Sequence, residues 1–478
     1  MTDQKGKQFA KNSLILAIGN FSSKILSLFL LPIYTKVLST DDYGNVDFLQ
    51  SIISLAIPIV SLQLGAALFR FLIDAKKTDD RKQIVSSALL VILINSLGFF
   101  IIANLVSYFF PFQYSILFIA CFVTSLIYVI CQNVVRAFGK NIIYSVCSFL
   151  FILISAVSNI VFILGFGMKG ASILLAIIIA NAVCSLVMII SEKLWIYCSL
   201  RCFSRKTLKE LTDFSLPCIL NETSWWIANF SDRLLIVFFL GAGTNGIYAA
   251  ANKVPNIYTS VHSVFNLAWQ ESAAQSINSD DREEYYCKMV DVFYRFFGCL
   301  VLGIICIISL AFELLYGKDY SGAYPHVAIL LLAIFVNSLC ATYGGIFSAL
   351  KKTGIIGMTT AFGAVANVLI NLLFIRYFGL FAASVSTLVS YLIILVIRIK
   401  KLKQFMTIRF PIRYFIRFIA ALCLTLAFYY CRITYLNAIL LVVLCVWSVL
   451  ENRIIISGLC KIVLRKIHPR RQEHDCEQ

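Results

Sequence analysis

Six basic residues fall inside long apolar segments of the chain rather than in the connections between them. They are Lys24, Arg70, Arg233, Lys253, Arg295 and Arg417. A charged side chain at the centre of a bilayer costs about 2.5–3.5 kcal/mol on insertion scales, so such residues usually face a watery cavity or an opposite charge. Arg70 lies near the end of its segment, where a long side chain can reach the membrane surface. Arg295 has Asp291 one helical turn away and is predicted to form a local pair.

The other polar residues of these segments follow helical spacing. Glu222, Trp226, Asn229 and Arg233 are separated by four, three and four residues and would share one helix face. We predict that a cavity is lined by the following residues: Lys24, Asn20, Arg70, Arg233, Lys253, Asn229, Trp226 and Asn252. Three carboxylates are candidates for binding a coupling ion: Glu222, Asp232 and Asp47. The alternative is that these charges only form ion pairs, for instance Lys24 with Glu222.

Four prolines fall in two pairs of apolar segments at corresponding positions of the two chain halves. They are Pro32, Pro58, Pro217 and Pro255. A proline inside a helix removes a hydrogen bond and frees a carbonyl group. Interrupted helices at matching positions of two halves indicate a transport site. We therefore predict helix breaks at these prolines, although proline is also common in ordinary membrane helices.

The composition indicates a polytopic membrane protein. Of 478 residues, 60% are hydrophobic and 14% are charged, against about 25% charged in soluble domains. We expect an all-α fold with about fourteen membrane-spanning helices of roughly 20 residues each. The predicted spans are 12–36, 46–70, 84–108, 115–136, 142–165, 171–191, 214–239, 247–270, 289–315, 327–348, 354–375, 379–398, 414–431 and 434–450.

The basic residues of the connections fall mainly on one side of this topology. The opposite side holds only Lys36, Lys169, Lys318, Arg376 and Arg432. Because cytoplasmic connections of membrane proteins are rich in Lys and Arg, both termini are predicted to be cytoplasmic. The same rule accounts for most of the net charge of +17 without a nucleic-acid partner.

The two chain halves carry similar segments. NIVFILGFGMKGAS at 159–172 aligns with NLLFIRYFGLFAAS at 371–384, and LSTDDYG at 38–44 aligns more weakly with LGAGTNG at 240–246. Two parallel repeats place a binding site between them. The predicted organisation is a six-helix lobe at 1–191, a cytoplasmic linker at 192–213, a second six-helix lobe at 214–399, two helices at 400–450 and a basic cytoplasmic tail at 451–478.

Several kinds of chemistry lack a sequence signature. The chain has no Walker motif for nucleotide phosphates. It has no C-x-x-C among its 16 cysteines, and its four histidines have no ligand spacing. No connection is long enough to hold a soluble catalytic domain. We expect a protein that is not an enzyme and that has no metal site and no cofactor.

Several stretches resemble the polysaccharide-transport flippases, the O-antigen and capsule type of the exporter superfamily that also contains the multidrug and toxin extruders. They are KILSLFLLPIYTKVLSTDDYG (24–44), SLP (215–217), SDRLLI (231–236), FLG (239–241), NGIYAAANKVP (245–255) and NVLINLLF (367–374). The resemblance implies a two-lobed transporter that moves polyprenyl-diphosphate-linked oligosaccharide across the bacterial cytoplasmic membrane by alternating access, without ATP. It implies that Lys24, Arg233 and Lys253 receive the diphosphate. It also suggests partner enzymes of the same pathway, a polymerase and glycosyltransferases.

Three other functions are consistent with parts of the sequence. A drug or organic-cation exporter of the same superfamily would use the acidic residues, although the basic residues among them oppose this. A peptidoglycan-precursor flippase would share the diphosphate chemistry. A membrane-embedded polymerase or glycosyltransferase would usually need a sizeable outer loop, and the predicted outer connections are short.

Overall fold

The computed structural model describes residues 29–409 and 411–453, and within these ranges every regular element is helical. Helix α1 is described over 29–37. The helices that follow are α2 Thr40–Val60, α3 Leu64–Asp74, α4 Thr78–Phe109, α5 Ser115–Ala137, α6 Asn141–Ile160, α7 Ala171–Ser191, α8 Arg205–Leu240 and α9 Ala242–Ala251. The last are α10 Lys253–Gln275, α11 Arg282–Leu315, α12 Tyr324–Ala349, α13 Thr353–Phe378, α14 Leu380–Leu402, α15 Ile412–Tyr430 and α16 Thr434–Glu451.

Eleven helices in the described ranges are long and apolar enough to cross a membrane: α2, α4 to α7 and α11 to α16. The chain is therefore an all-α, multi-pass membrane protein, as its composition predicts. Of the three other predicted spans, 12–36 lies mostly outside the described residues. The remaining two correspond to α8 and to α9 with α10. Helices α8 and α10 have 36 and 23 residues, so they differ from the eleven in polarity and not in length.

Polar side chains fix where the key helices begin. The Ser39 hydroxyl accepts the backbone N–H of Asp42 and caps α2, and Asp41 and Asp42 stand in the first turn, where the helix dipole favours negative charge. The Ser204 hydroxyl caps α8 by accepting from the N–H of Thr207. Helix α8 therefore begins inside the predicted linker at 192–213. Gly241, with φ of 86°, separates α8 from α9.

The described chain divides into two compact units. The first contains residues up to Val261 together with Leu315–His326 and Thr360–Ser390. The second contains His262–Leu314, Val327–Thr359 and the residues from Tyr391 onward. The predicted candidate residues from Asp47 to Pro255 that the structure describes all belong to the first unit.

A buried carboxylate in the first unit joins two connections. Asp42 accepts hydrogen bonds from the Tyr114 hydroxyl at 2.7 Å, the Gln113 amide at 3.1 Å and the Ser39 hydroxyl at 2.9 Å. Burial and the hydrogen bond to Asp42 raise the pKa of Tyr114, so this hydroxyl stays protonated and continues to donate at physiological pH. The start of α2 is thereby held against the start of α5.

The second unit contains a buried arginine that the sequence places differently. The predicted span 379–398 ends at Arg398 and so puts this side chain at the membrane surface, but α14 continues to Leu402 and Arg398 is 5% exposed. Its guanidinium donates to the Cys340 carbonyl of α12 at 2.6 Å, and to the Thr359 hydroxyl at 3.0 Å and the Ile356 carbonyl at 3.3 Å, both in α13. One side chain therefore links three helices.

The local pair predicted for Arg295 is confirmed and forms part of a larger network. The Nε of Arg295 lies 2.8 Å from Asp291, and Nη1 lies 3.0 Å from the buried carboxylate of Glu451. Arg417 binds the same Glu451 at 2.7 Å. The network ties α15 and α16 to α11 within the second unit.

Candidate functional site

A buried ion pair between α2 and α8 forms the centre of the candidate site. The Nε of Arg233 lies 2.7 Å from Oδ2 of Asp47, and the two side chains are 11% and 16% exposed. The Arg233 guanidinium also stacks over the Phe230 ring at 4.8 Å. The Asn245 amide from α9 donates to the Gly44 carbonyl at 2.9 Å and approaches Asp47 at 3.4 Å. The sequence left open whether Arg233 lines a cavity or only forms an ion pair. In the structure it forms an ion pair, and its partner is Asp47 of another helix.

Lys253 adds a second positive charge to the same place. This lysine begins α10, and its Nζ lies 5.8 Å from the centre of the Tyr43 ring. Asp47 and Lys253 both line a cavity of about 210 Å³. Lys253 forms no hydrogen bond and no close ion pair with any residue that the structure describes. Arg233, Lys253 and Asp47 together carry one positive charge in excess. The adjacent Asp232 cancels this charge when it is ionised, and leaves it for an anion to balance when a proton or a cation neutralises that carboxylate.

A second buried carboxylate, Asp232, has neutral partners. Its Oδ2 accepts hydrogen bonds from the Tyr248 hydroxyl at 2.9 Å and the Thr387 hydroxyl at 2.8 Å. Its Oδ1 accepts from the Asn371 amide at 2.9 Å. The carboxylate is 6% exposed, while the neighbouring Arg233 directs its Nε to Asp47. A buried carboxylate without its own close cation is a place where a proton or a small cation can supply the balancing charge.

The other predicted site residues do not all contact this group of charges. The Trp226 indole N–H donates to the Ser51 carbonyl at 2.9 Å and the Ser54 hydroxyl at 3.0 Å, so this ring packs α8 against α2. Arg70 is exposed and pairs with Asp74 one turn along α3, because both stand near the exposed end of that helix. The Asn252 amide donates back to the Tyr248 carbonyl at the bend between α9 and α10. Glu222 lies half-buried in α8 and forms no ion pair with a described residue.

Three predicted residues cannot be placed with the others. Lys24 and Asn20 lie outside the described residues. Asn229 lies in α8, but its side chain is not among those that the structure describes. Their assignment to a cavity stays a prediction from the sequence.

The four prolines behave differently from one another. Three residues after Pro58 the chain leaves α2 through a turn in which Leu62 and Gln63 have φ of 48° and 51°, and α3 then begins. Pro255 is the third residue of α10, where a missing N–H breaks no helical hydrogen bond. Helix α8 is continuous through Pro217, and α1 is continuous through Pro32. No break is therefore seen at Pro217 or Pro32, since a helix can continue past a single proline when neighbouring groups satisfy the freed carbonyl.

The sequence analysis missed several polar residues around these charges. Tyr43, Asn245, Tyr248, Asn371 and Thr387 were not predicted as site residues. A signal for Asn371 was available, because the repeat at 159–172 and 371–384 aligns it with Asn159. Asn159 and Asn371 are both buried, and each donates its amide to another helix, to the Tyr34 hydroxyl at 2.7 Å and to Asp232 respectively.

Comparisons with known proteins are consistent with a transporter. Residues 9–270 match the model of a family described as polysaccharide biosynthesis protein. A probable low-salt glycan biosynthesis flippase of Haloferax volcanii, Agl15, is 24% identical over 224 residues, which are 44% of this chain and 46% of that protein. The match thus spans about half the length of this curated relative.

Two solved structures show the same fold. The lipid II flippase MurJ in an inward closed conformation gives a TM-score of 0.69 at 13% identity, over 93% of this chain and 100% of that one. An inward-facing multidrug resistance transporter of the MATE family gives a TM-score of 0.63 at 17% identity, over 82% of this chain and 100% of that one. At these identities the likeness concerns the fold alone.

Proposed function

Because the chain belongs to the polysaccharide biosynthesis protein family, we propose that it is a flippase for polyprenyl-diphosphate-linked oligosaccharide. In this proposal the oligosaccharide moves from the cytoplasmic to the outer leaflet of the bacterial cytoplasmic membrane, by alternating access and without ATP. The observation that carries the proposal is the positive charge of Arg233 and Lys253 around Asp47, inside an apolar, multi-pass chain.

The chemistry of a diphosphate matches this arrangement. Moving a diphosphate out of water is unfavourable unless a positive group meets it. Lys253 can do so as a point charge without a fixed geometry, which suits a ligand that must also leave. Arg233 is held by Asp47 and could exchange this carboxylate for a phosphate oxygen, since guanidinium binds both anions. Lys24 is a further candidate from the sequence.

Transport against a gradient requires a coupled ion, and we propose that this ion binds to Asp232. The carboxylate stands among neutral donors from α9, α13 and α14 and has oxygen-bearing neighbours in Tyr248, Thr387 and Asn371. The earlier alternatives Glu222 and Asp47 fit less well, because Asp47 is occupied by Arg233 and no residue that the structure describes donates a hydrogen bond to Glu222.

The excess of positive charge argues against the exporter of organic cations, whose ligands would be repelled by Arg233 and Lys253. A peptidoglycan-precursor flippase would share the diphosphate site, and substrate competition distinguishes the two. The topology that accompanies the proposal has both termini in the cytoplasm, and cysteine labelling at positions 206 and 401 from the inside only would support it. A polymerase and glycosyltransferases of one pathway are the partners that this function calls for.

Translocation in proteoliposomes tests the proposal. The probe is a fluorescent polyprenyl-diphosphate oligosaccharide, whose leaflet is reported by a membrane-impermeant quencher. We expect Lys253→Met to slow translocation by about tenfold or more, because a hydrogen bond to a charged group contributes about 1.5–3 kcal/mol. Lys253→Arg should retain part of the rate.

Lys36→Met is the matched control, since it removes an exposed lysine of α1 and should leave the rate unchanged. Translocation by Lys253→Met at the wild-type rate would remove Lys253 from the mechanism. Absence of translocation by the wild-type protein, in liposomes where an unrelated flippase moves the same probe, would overturn the proposed function itself.

A further inference from the structure

The cavity beside Asp47 and Lys253 is small and mixed in character. It has a volume of about 210 Å³ and is bounded by α1, α2, α6 and α7, with Lys253 from α10. A cavity of this volume has room for several waters or for a ring-sized molecule.

Two buried polar atoms of this lining have no hydrogen-bond partner within the described part of the chain. They are the hydroxyl of Tyr43 and Oδ1 of Asn159, on side chains that are 3% and 2% exposed. Leaving such an atom unsatisfied costs about 1–3 kcal/mol. Tyr43 and Asn159 both line the cavity, so a small rotation of either side chain could bring its unmet atom to a ligand that both donates and accepts hydrogen bonds.

The rest of the lining supports a ligand with hydroxyl groups. Gln50 and Ser155 contribute an amide and a hydroxyl, each able to donate and accept. Tyr34 and Tyr43 place their rings 5.8 Å apart at a tilt of 32°, which gives the cavity an aromatic wall. Aromatic faces beside amides and hydroxyls are the usual surroundings of a bound sugar ring, whose C–H face is apolar and whose hydroxyls are polar.

Two other ligand classes fit less well. A phosphate only accepts hydrogen bonds, so it would leave Oδ1 of Asn159 unmet. A metal cation would be repelled by the positive charges of Lys253 and Arg233. Asp47 would not offset this repulsion, because Arg233 already neutralises its charge. A neutral ring with hydroxyl groups avoids both conflicts.

We propose that this cavity is a sugar subsite that holds the ring joined to the diphosphate, while the phosphates lie at Lys253. The inference rests on the proposed function and adds to it a position for the sugar. It makes Tyr43 and Asn159 residues that recognise the glycan and not the lipid or the phosphates.

Binding to the full-length protein in nanodiscs tests the subsite. Two probes are used, a short-chain polyprenyl diphosphate and the same molecule carrying one hexose or N-acetylhexosamine. Wild-type protein should bind the sugar-bearing probe more tightly. Tyr43→Phe should weaken only this probe, by about two- to tenfold, which corresponds to one hydrogen bond of about 0.5–1.5 kcal/mol.

Protein stability separates recognition from packing. Because the Tyr43 hydroxyl has no partner among the described residues, Tyr43→Phe should leave the thermal unfolding midpoint unchanged or raise it. Tyr320→Phe is the matched control: its buried hydroxyl donates to the Ser39 carbonyl at 3.0 Å, and Tyr320 is not among the residues that line the cavity. That variant should lower the midpoint and bind both probes in the wild-type ratio. Ser155→Ala should act like Tyr43→Phe on the sugar-bearing probe.

The possible outcomes distinguish the two proposals. Equal affinity of wild-type protein for both probes, with binding that still depends on Lys253, overturns the sugar subsite and leaves the flippase proposal intact. Tyr43→Phe and Ser155→Ala proteins that bind both probes as the wild type does also overturn it, and would indicate that the cavity holds only water. Failure of wild-type protein to bind either probe overturns the diphosphate site and the subsite together.

Discussion

Gly44 of α2 and Gly246 of α9 lie directly against each other. A Cβ atom on Gly44 would overlap the Ala242 carbonyl oxygen and lie 2.6 Å from the Gly246 nitrogen. A Cβ atom on Gly246 would overlap the Thr40 carbonyl oxygen and lie 3.0 Å from the Gly44 nitrogen. The weak repeat between 38–44 and 240–246 aligns these same two glycines. The contact brings Asn245 to the Gly44 carbonyl and to Asp47, so it also positions the charged site.

We expect Gly44→Ala and Gly246→Ala to force α2 and α9 apart. Each added methyl group meets backbone, which cannot move aside as a flexible side chain could, so each change should destabilise this arrangement by about 1–3 kcal/mol. The measurement is disulfide trapping between Asp41→Cys and Gly243→Cys, which stand against each other, in a background without native cysteines. Trapping should fall in both alanine variants, and translocation should slow.

Gly98→Ala provides the control for the glycine variants. Gly98 lies inside α4 with nothing within 4 Å of an added Cβ atom, so alanine there should be neutral or stabilise the helix by up to about 1 kcal/mol. Trapping that is as efficient in Gly44→Ala as in Gly98→Ala would show that the close crossing of α2 and α9 does not depend on glycine.

The sequence predicts the helices of this protein better than it predicts their contacts. Apolar runs locate the spans because burial in lipid requires a long uninterrupted stretch. Helices α8 and α10 are exceptions in polarity: Asp232 and Arg233 lower the hydropathy of the apolar part of α8, and α10 carries several neutral polar residues after Lys253. Helical spacing correctly puts Trp226 and Arg233 in one helix, but it cannot state which neighbour each will meet. Asp47 lies 186 residues from Arg233, and nothing local in the sequence joins them.

The Asp47–Arg233 pair should be strongly coupled. Asp47→Asn leaves the buried guanidinium without its partner, which typically costs 3–5 kcal/mol. Asp47→Asn and Arg233→Met should each lower the thermal midpoint in detergent, and the double variant should lose less than the sum of the two. The exposed pair Arg70–Asp74 is the control, where Asp74→Asn should cost about 1 kcal/mol or less. Additive effects at Asp47 and Arg233 would contradict the pairing.

Arg398 should be needed for the packing of α12, α13 and α14. A lysine has a single nitrogen and cannot donate to Cys340, Thr359 and Ile356 together in the geometry of a guanidinium. Arg398→Lys should therefore lower stability by about 2 kcal/mol, with faster hydrogen exchange at the start of α13. Lys400→Met removes an exposed charge two residues away and should change neither. Equal behaviour of the two variants would indicate that Arg398 adds no specific packing.

Asp232 should carry the dependence of transport on an ion gradient. If a cation or proton binds the carboxylate, it stabilises the folded protein in proportion to RT ln(1 + [L]/Kd). The wild-type thermal midpoint should therefore rise when Na⁺ replaces choline, or when the pH is lowered if the ion is a proton. Asp232→Asn should lose this response and the dependence on the gradient, because an amide cannot supply the negative charge.

Three variants separate the possible roles. Tyr248→Phe removes one hydrogen-bond donor and keeps the charge of Asp232, so it should retain the response, with a changed ion concentration at half-maximal effect. Glu222→Gln should behave as the wild type. A wild-type gradient dependence in Asp232→Asn would exclude Asp232 as the coupling residue, and its loss in Glu222→Gln would move the role to Glu222.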